Sequence, residues 1–308
     1  MAAAEALKQP GPRPGGDPAA GEATPRCPAC GAALRDLARP RLLRCPRCGL
    51  CRRRPVQGTR DREDLILHYR EVDPHARVAQ AKAAFYERAL DTLGEAFPRR
   101  PRRLLDVGCG WGDFLERAMR RGWGASGVEI LPEAVAAARR RLPGAQLHLG
   151  PLGAIPLPTK EVQAVTFWDV LDHVEDPATE LAAAHRLLDR GGMVGIRLRN
   201  ASVQLWLRRA DRLVGALRRR PPRKRLHVLH RFAFSPAALL RLLARSGFEK
   251  IRIENAPLTA GDPYGHSLRV PPLPLLKAVG ASAAGLLFAA SGGKLLLSPS
   301  LLAWARKP

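Results

Sequence analysis

The most constraining feature of the chain is the stretch "LLDVGCGWGDFLERAMRRGWGASGVEI" at residues 104–130. An apolar run is followed by a glycine-rich turn, an amphipathic helical stretch and a second apolar run that ends in Glu129. The glycines stand at alternate positions, at Gly108, Gly110 and Gly112. In a strand–helix–strand unit, such glycines let the backbone approach a ligand at the carboxyl end of the first strand. The stretch therefore predicts a parallel sheet with a ligand site at this edge.

The remaining pattern predicts an α/β fold. From residue 102 onwards, short apolar strands alternate with amphipathic helices, which is typical of a doubly wound parallel sheet with helices on both faces. A turn is expected at Gly191-Gly192, an irregular basic stretch after residue 200, and then a helix that Ser235 caps. The predicted organisation is a disordered tail at 1–25, a metal-binding ribbon at 26–55, a helical connector at 56–98 and the α/β domain at 99–308.

Two Cys-x-x-Cys pairs lie near the start of the chain. Fourteen residues separate the pair Cys27 and Cys30 from the pair Cys45 and Cys48. Four thiolates at this spacing suit a tetrahedral structural zinc, which would stabilise a module too small to fold alone. The alternative is a redox pair, but neither pair lies in a strand–helix–strand context. Cys51 is interpreted as a bystander.

The chain is strongly basic. Its 51 Lys and Arg outnumber its 28 Asp and Glu, for a net charge of +23. This charge indicates an anionic membrane surface or a nucleic acid as partner, although a composition rich in Arg, Ala, Gly and Pro also explains it. The basic insert at 201–231 could hold an anionic acceptor. The apolar segment at 270–298 predicts a helix that packs on the domain or lies on a membrane surface.

The first 26 residues lack the apolar core of a signal peptide. The paired cysteines also favour metal binding over disulfides. We therefore expect a cytoplasmic protein, peripheral at the membrane if the apolar segment binds there. The oligomeric state does not follow from the sequence.

The acids around the glycines indicate which ligand binds. Asp106 precedes the first glycine, where it would repel a pyrophosphate but suit a cationic ligand. Glu129, at the end of the second predicted strand, could accept the hydroxyls of a ribose. S-adenosylmethionine combines a ribose with an ammonium and a sulfonium.

At this point the chain resembles the class I S-adenosylmethionine-dependent methyltransferases. Further segments share the likeness: "FWDVLDHVEDP", "LLDRGGMVGIRLRN", "LHRFAFSPAALLRLLARSGFEKIRI" and the closing "SLLAWARKP". The resemblance covers residues 102–257 and the last ten. It implies a Rossmann-like, seven-stranded, mainly parallel sheet, and the zinc ribbon before it resembles a subgroup of these enzymes, many of which act on sugars or other small metabolites.

The resemblance also implies roles for individual residues. Asp106, Gly108 and Asp169 would face the methionine part of the cofactor, and Gly110 and Gly112 would shape the turn. Glu129 would bind the ribose, Ile130 would pack on the adenine, and the backbone of Leu152 and Gly153 would meet the adenine edge. An acid that the family usually carries after the third strand is absent, since the segment there is "GPLGAIP".

The candidate residues on the acceptor side are Asp169, His173, His227 and His230. A histidine is the usual base for a hydroxyl acceptor, and His173 follows the fourth predicted strand. The alternative is that His173 caps a helix or orients its loop. A third interpretation, which the resemblance implies, is a divalent metal site formed by Asp169, Asp172 and His173.

Three functions remain open at this point. The first is direct methyl transfer to a small-molecule, glycan or lipid-linked acceptor. The second is RNA methylation, with the ribbon and the Arg-rich insert holding the RNA. The third is a catalytically silent zinc-ribbon protein that binds other proteins.

Overall fold

The computed structural model describes residues 25–37, 42–54, 74–99, 101–159, 161–217, 219, 230–257 and 273–308. For 74–78 and 273–281 it describes the backbone alone. In chain order the elements are β1 (Arg35–Asp36), β2 (Leu42–Arg44), β3 (Cys51–Arg53), α1 (Pro74–Ala96), β4 (Arg102–Val107), α2 (Asp113–Arg120), β5 (Trp123–Glu129), α3 (Pro132–Arg141), β6 (Gln146–Leu149), a 3-10 turn (Leu152–Ala154), β7 (Val162–Trp168), α4 (Pro177–Leu187), β8 (Leu188–Arg199), α5 (Ala201–Leu217), β9 (Phe232–Ala233), α6 (Pro236–Arg245), β10 (Glu249–Asn255), α7 (Leu273–Ala290) and β11 (Ser300–Arg306).

Seven strands form the main sheet, in the order β10-β11-β8-β7-β4-β5-β6. The pairs from β8 to β6 are parallel, whereas β11 runs antiparallel to both of its neighbours. This is the doubly wound, mainly parallel α/β sheet that the sequence predicts. Because β4, β5, β7 and β8 are parallel, their carboxyl ends meet at one edge of the sheet.

Apolar side chains cover both faces of this sheet. On one face, Phe85 and Leu93 of α1 pack in a cluster with Leu104 and Trp168. On the other face, leucines of α4 and α6 pack against β7 and β8, and the cysteines of the ribbon belong to the same cluster. The helix α6 begins as its sequence predicts, since the Ser235 hydroxyl accepts the N–H of Ala238 at 3.1 Å.

A second, four-stranded sheet has the order β1-β2-β3-β9. Its first three strands lie in the cysteine-rich segment, but β9 comes from the far half of the chain and pairs Ala233 with Cys51. The Ser235 hydroxyl also donates to the carbonyl of Cys48 at 2.6 Å. The ribbon is therefore joined to the α/β domain by a shared sheet.

Two local expectations change in the structure. The stretch after residue 200 is not irregular at its start, because residues 201–217 form the helix α5. Within it, Leu205 packs on a small cluster that contains Cys51 and Ala233, so the helix is held against the protein there. The Gly191-Gly192 turn lies inside β8 as an irregularity, where the pairing with β7 jumps from Leu188 to Met193.

The apolar C-terminal segment contains the predicted helix, as α7. In the part of the chain that the structure describes, no helix is both long and apolar enough to pass through a bilayer. The predicted tail lies almost wholly outside the described residues, as do residues 56–73 of the connector and most of the insert beyond residue 217.

Candidate active site

The glycine turn follows β4 at the carboxyl edge of the sheet. Gly108 has a φ of 71°, and a Cβ placed on it would lie 2.3 Å from Val170, so this position is closed to any side chain. Gly110 has a φ of 53°, but a Cβ there would meet nothing within 4 Å. The turn is thus packed at Gly108 and open at Gly110, which leaves space for a ligand beside the backbone.

The carboxylate of Glu129 holds the turn against the end of β5. One oxygen accepts the N–H of Gly110 at 3.0 Å, and the other accepts those of Ile130 and Leu131 at 2.7 and 3.0 Å. Burial raises the pKa of Glu129, although these three bonds oppose the rise. The next side chain, Ile130, is 38% exposed. The carboxylate is therefore fixed in place, with an exposed apolar side chain beside it.

Asp106 is buried in β4, opposite Thr166 of β7. The Thr166 hydroxyl donates to its carboxylate at 2.6 Å. Burial raises the pKa of Asp106 to about 7, against the opposing effects of Thr166 and Lys82, and the negative charge of Glu129 adds to the rise. A cation placed beside this carboxyl would favour its ionised form.

Asp169 follows β7 directly and lies between two cations. Its carboxylate lies 2.7 Å from the Lys82 ammonium and also accepts from the Arg197 guanidinium. Burial alone would raise the pKa of Asp169, but Arg197 and Lys82 outweigh it and hold the pKa well below its usual range. Asp169 also has a φ of 61°, an uncommon backbone conformation that often marks functional sites.

The loop after β7 brings Asp172, His173 and His230 together. The rings of His173 and His230 lie 3.7 Å apart, and His173 Nε2 is 3.9 Å from Asp172 Oδ1. That Oδ1 is buried without a hydrogen-bond partner. Burial, with the nearby His173 and Arg199, lowers the pKa of His230 to about 2, so this ring is neutral. His227 lies outside the described residues.

The amides expected at the adenine edge have another partner. Gly153 donates its N–H to Glu180 of α4 at 3.4 Å, and the backbone of Leu152 also interacts with this carboxylate. The side chain of Leu152 is fully buried. A ligand at this position would therefore compete with Glu180 for the two amides.

The four paired cysteines converge in the ribbon. Cys27 and Cys48 place their sulfurs 3.5 Å apart, and Cys30 and Cys45 place theirs 3.4 Å apart. All four sulfurs lie within 4.8 Å of one another. Tetrahedral zinc with Zn–S bonds of about 2.3 Å requires sulfurs roughly 3.8 Å apart, so this donor set fits the ion. Cys51 is buried and lies outside the cluster.

A family model described as a methyltransferase domain matches residues 76–253, more than half of the chain. The chain belongs to this family. Together with the strand order and the glycine turn, the match makes it a class I S-adenosylmethionine-dependent methyltransferase.

Individual relatives match shorter parts of this methyltransferase than the family model does. An uncharacterized methyltransferase of Mycobacterium tuberculosis is 30% identical over 137 residues, 44% of this chain and 55% of that protein. The ubiquinone biosynthesis O-methyltransferase of Paracidovorax citrulli is 31% identical over 123 residues, 36% of this chain and 49% of that protein. The methyltransferase described here therefore spans about half the length of the curated relatives it matches.

A solved structure shares a limited likeness with this methyltransferase. Phosphoethanolamine N-methyltransferase 2 of Haemonchus contortus, in complex with S-adenosyl-L-methionine, is 15% identical. The match covers 84% of this chain and 62% of that one, with a TM-score of 0.49. This likeness adds nothing to what the strand order of the methyltransferase already shows.

Sequence reasoning missed two side chains of the candidate site of this methyltransferase, Lys82 and Arg197. Lys82 is buried on the apolar stripe of α1, and Arg197 is buried in the otherwise apolar stretch 193–198 of β8. The available signal was a charged residue at a position where the helical or strand pattern requires an apolar one. Both charges are compensated by Asp169, which explains why the fold accepts them.

The structure of the methyltransferase also changes the set of residues expected for a divalent metal site. Asp169, expected among the ligands, is engaged by two cations. Among the described residues of this loop region, Asp172, His173 and His230 are the ones whose potential ligand atoms lie within 4.8 Å of one another. The expected set therefore does not assemble around Asp169.

Proposed function

We propose that this methyltransferase moves a methyl group from S-adenosylmethionine to a hydroxyl of a small-molecule, glycan or lipid-linked acceptor. One observation carries the proposal. Val170 packs on Gly108 of the open turn, and its carbonyl accepts the N–H of His173 at 2.8 Å. The candidate cofactor cradle and the candidate base are thus neighbours at one edge of the sheet.

The residues of the cradle fit the cofactor's chemistry. The backbone at Gly110 would lie against it, Glu129 would accept the ribose hydroxyls and the exposed Ile130 would cover the adenine. Asp106 and Asp169 would face the cationic methionine part. When bound, the cofactor supplies a methyl group already activated by a sulfonium, so the protein has mainly to align the reactants, which can contribute roughly 7–11 kcal/mol.

We assign to His173 the role of the base that accepts the proton of the acceptor hydroxyl. Its side chain is 26% exposed and can meet an acceptor, whereas Asp172 behind it is 4% exposed. The Asp172 carboxylate would orient the ring and stabilise it once protonated. His230, neutral and tilted by 38° against the ring of His173, would hold His173 in place and exclude water.

We assign the four cysteines of the ribbon to a structural zinc. Their donor set is all thiolate, without an open position for a substrate. The ribbon would act through the shared sheet, because β9 lies between β3 and the loop of His173. The backbone N–H of Phe232 donates to the carbonyl of Asp172 at 3.0 Å, and the backbone N–H of Arg53 donates to the carbonyl of Arg231 at 2.9 Å.

Binding and turnover test the proposal separately. Titration calorimetry of the zinc-loaded chain should show binding of S-adenosylmethionine, and its absence would leave the silent zinc-ribbon protein as the function. A screen of metabolite, glycan, lipid and RNA pools with the methyl-labelled cofactor should then label a small-molecule, glycan or lipid acceptor. Labelling of RNA alone would replace this proposal with the RNA methyltransferase.

A further inference from the structure

The helix α5 exposes apolar side chains to water. Trp206, Leu213 and Leu217 are 64%, 65% and 76% exposed. Their spacing of seven and four residues places them on one face of the helix. In α5 the buried residues are Ala201 and Gly215, both small. Although Leu205 packs on the protein, the helix turns its tryptophan and two of its leucines toward water, unlike an ordinary surface helix.

Basic side chains accompany this apolar face. Arg209 and Arg212 are exposed, and Arg208 is half-buried, against the single acid Asp211. The whole chain carries a net charge of +23. A helix with Trp and Leu on one side and Arg beside them has the composition of helices that lie in the interface of anionic membranes.

A second apolar surface begins at the same point of the fold. Leu286 at the end of α7 is 73% exposed, and Leu295 and Leu297 are 44% and 43% exposed. Asn200, which joins β8 to α5, donates to the carbonyl of Leu296 at 2.9 Å and accepts the N–H of Ser202 at 3.1 Å. One side chain thus joins the start of α5 to the segment that carries Leu295 and Leu297.

We propose that α5, together with the leucines of 286–297, seats this protein on a membrane surface that contains anionic lipids. The helix would lie in the interface and not cross it. A second copy of the chain is a poorer occupant, because two faces rich in Arg would repel each other. A nucleic acid would satisfy the arginines but leave the leucines exposed.

The position of α5 relates this surface to the candidate site. The helix follows Arg199 at the carboxyl end of β8, and β8 is parallel to β7, whose end carries Asp169. A membrane bound by α5 would therefore lie at the edge of the sheet where the acceptor is expected. The membrane proposal itself does not depend on methyl transfer.

Sedimentation with lipid vesicles tests the proposal. The zinc-loaded full chain should sediment with phosphatidylcholine vesicles that contain phosphatidylglycerol, and less with phosphatidylcholine alone. The double variant Leu213→Ser/Leu217→Ser should bind at least about tenfold more weakly. The matched control is Leu240→Ser on α6, which also removes an exposed leucine, 46% exposed, and should bind as the parent does.

A second measurement reports the depth of α5. Brominated lipids should quench the fluorescence of Trp206, and the variant Trp206→Leu should keep vesicle binding but lose most of the quenching. Equal binding of the double variant and the Leu240→Ser control would overturn the proposal. So would an absence of vesicle binding by a chain that still binds S-adenosylmethionine. Vesicle binding without cofactor binding would leave this proposal standing and remove only the proposed function.

Discussion

The ammonium of Lys82 lies 2.7 Å from the carboxylate of Asp169, and both groups are largely buried. Lys82 belongs to α1, which precedes the main sheet in the chain, and Asp169 directly follows β7, the central strand of that sheet. Arg197 of β8 holds the same carboxylate. The helix that precedes the sheet is therefore tied to the point where the methyl group is expected to leave the cofactor.

Removal of the lysine charge should destabilise the protein. We expect Lys82→Met to lower the free energy of unfolding by roughly 3 kcal/mol, the low end for a broken buried pair, because Arg197 still compensates Asp169. Chemical denaturation of the zinc-loaded chain measures this loss. The control Lys294→Met removes an exposed lysine and should change stability little. Equal stability of both variants would show that Arg197 alone compensates Asp169.

The open glycine should matter for the cofactor and not for the fold. Gly110→Ala places a methyl group in the space beside the turn and should weaken S-adenosylmethionine binding by about tenfold or more. Gly191→Ala is the matched control, because Gly191 also has a positive φ, 73°, and open space around its Cβ. Both variants carry similar backbone strain. Calorimetry should therefore separate them in affinity, and an equal effect would remove Gly110 from the cofactor site.

Cofactor binding should release protons near neutral pH. Asp106 has a pKa of about 7 in the folded protein, so about half of the carboxyls are protonated at pH 7. A cation beside it lowers this pKa, so binding should expel about half a proton. Calorimetry in buffers of different ionisation enthalpy measures the release, and Asp106→Asn should abolish it. Unchanged release in that variant would assign the proton to another group.

Asp106 should also make the ligand-free protein less stable as the pH rises. Its pKa is raised on folding, so the folded state binds more protons than the unfolded state between about pH 4 and pH 7. The contribution of Asp106 to stability is complete below this window and is lost as the pH rises through it. Denaturation of Asp106→Asn at several pH values should show a flatter dependence than the parent.

Loss of the candidate base should slow turnover without loss of the cofactor. We expect His173→Gln to lower kcat by about 10²- to 10⁴-fold with the acceptor found by screening. Its affinity for S-adenosylmethionine should stay as in the parent, since the cradle is intact. Partial rescue by added imidazole would separate proton transfer from a structural role. If the variant keeps full activity, His173 is a structural residue of its loop and not the base.

Zinc content should follow the cysteine cluster. The purified chain should carry one zinc, and Cys45→Ser should lose it together with thermal stability. Cys51→Ser is the control, since Cys51 is buried but lies outside the cluster. Elemental analysis of both variants decides the ligand set. Retention of zinc by Cys45→Ser would contradict it.

Local patterns in the sequence were enough to predict the sheet. The glycine turn, the alternation of strands and helices and the serine cap at Ser235 all depend on neighbours in the chain. The ring contact between His173 and His230 does not, because it depends on where β9 pairs. The same is true of Gly153, whose amide is bound by a glutamate of the next helix. A local pattern can mark a buried charge such as Lys82, but it does not show which distant side chain that charge meets.

Because β3 pairs with β9, the ribbon sheet cannot be completed until most of the chain has been synthesised. Residues 53 and 232 are about 180 positions apart, so at ~5–20 residues per second the ribbon waits some 10–40 s on the ribosome for its fourth strand. During that interval the edge of β3 is open to other chains. Arg52 and Arg53 form most of this edge, and charged residues are the usual guard against edge-to-edge aggregation. The arginines of the ribbon would thus protect the nascent protein before the sheet that they join is complete.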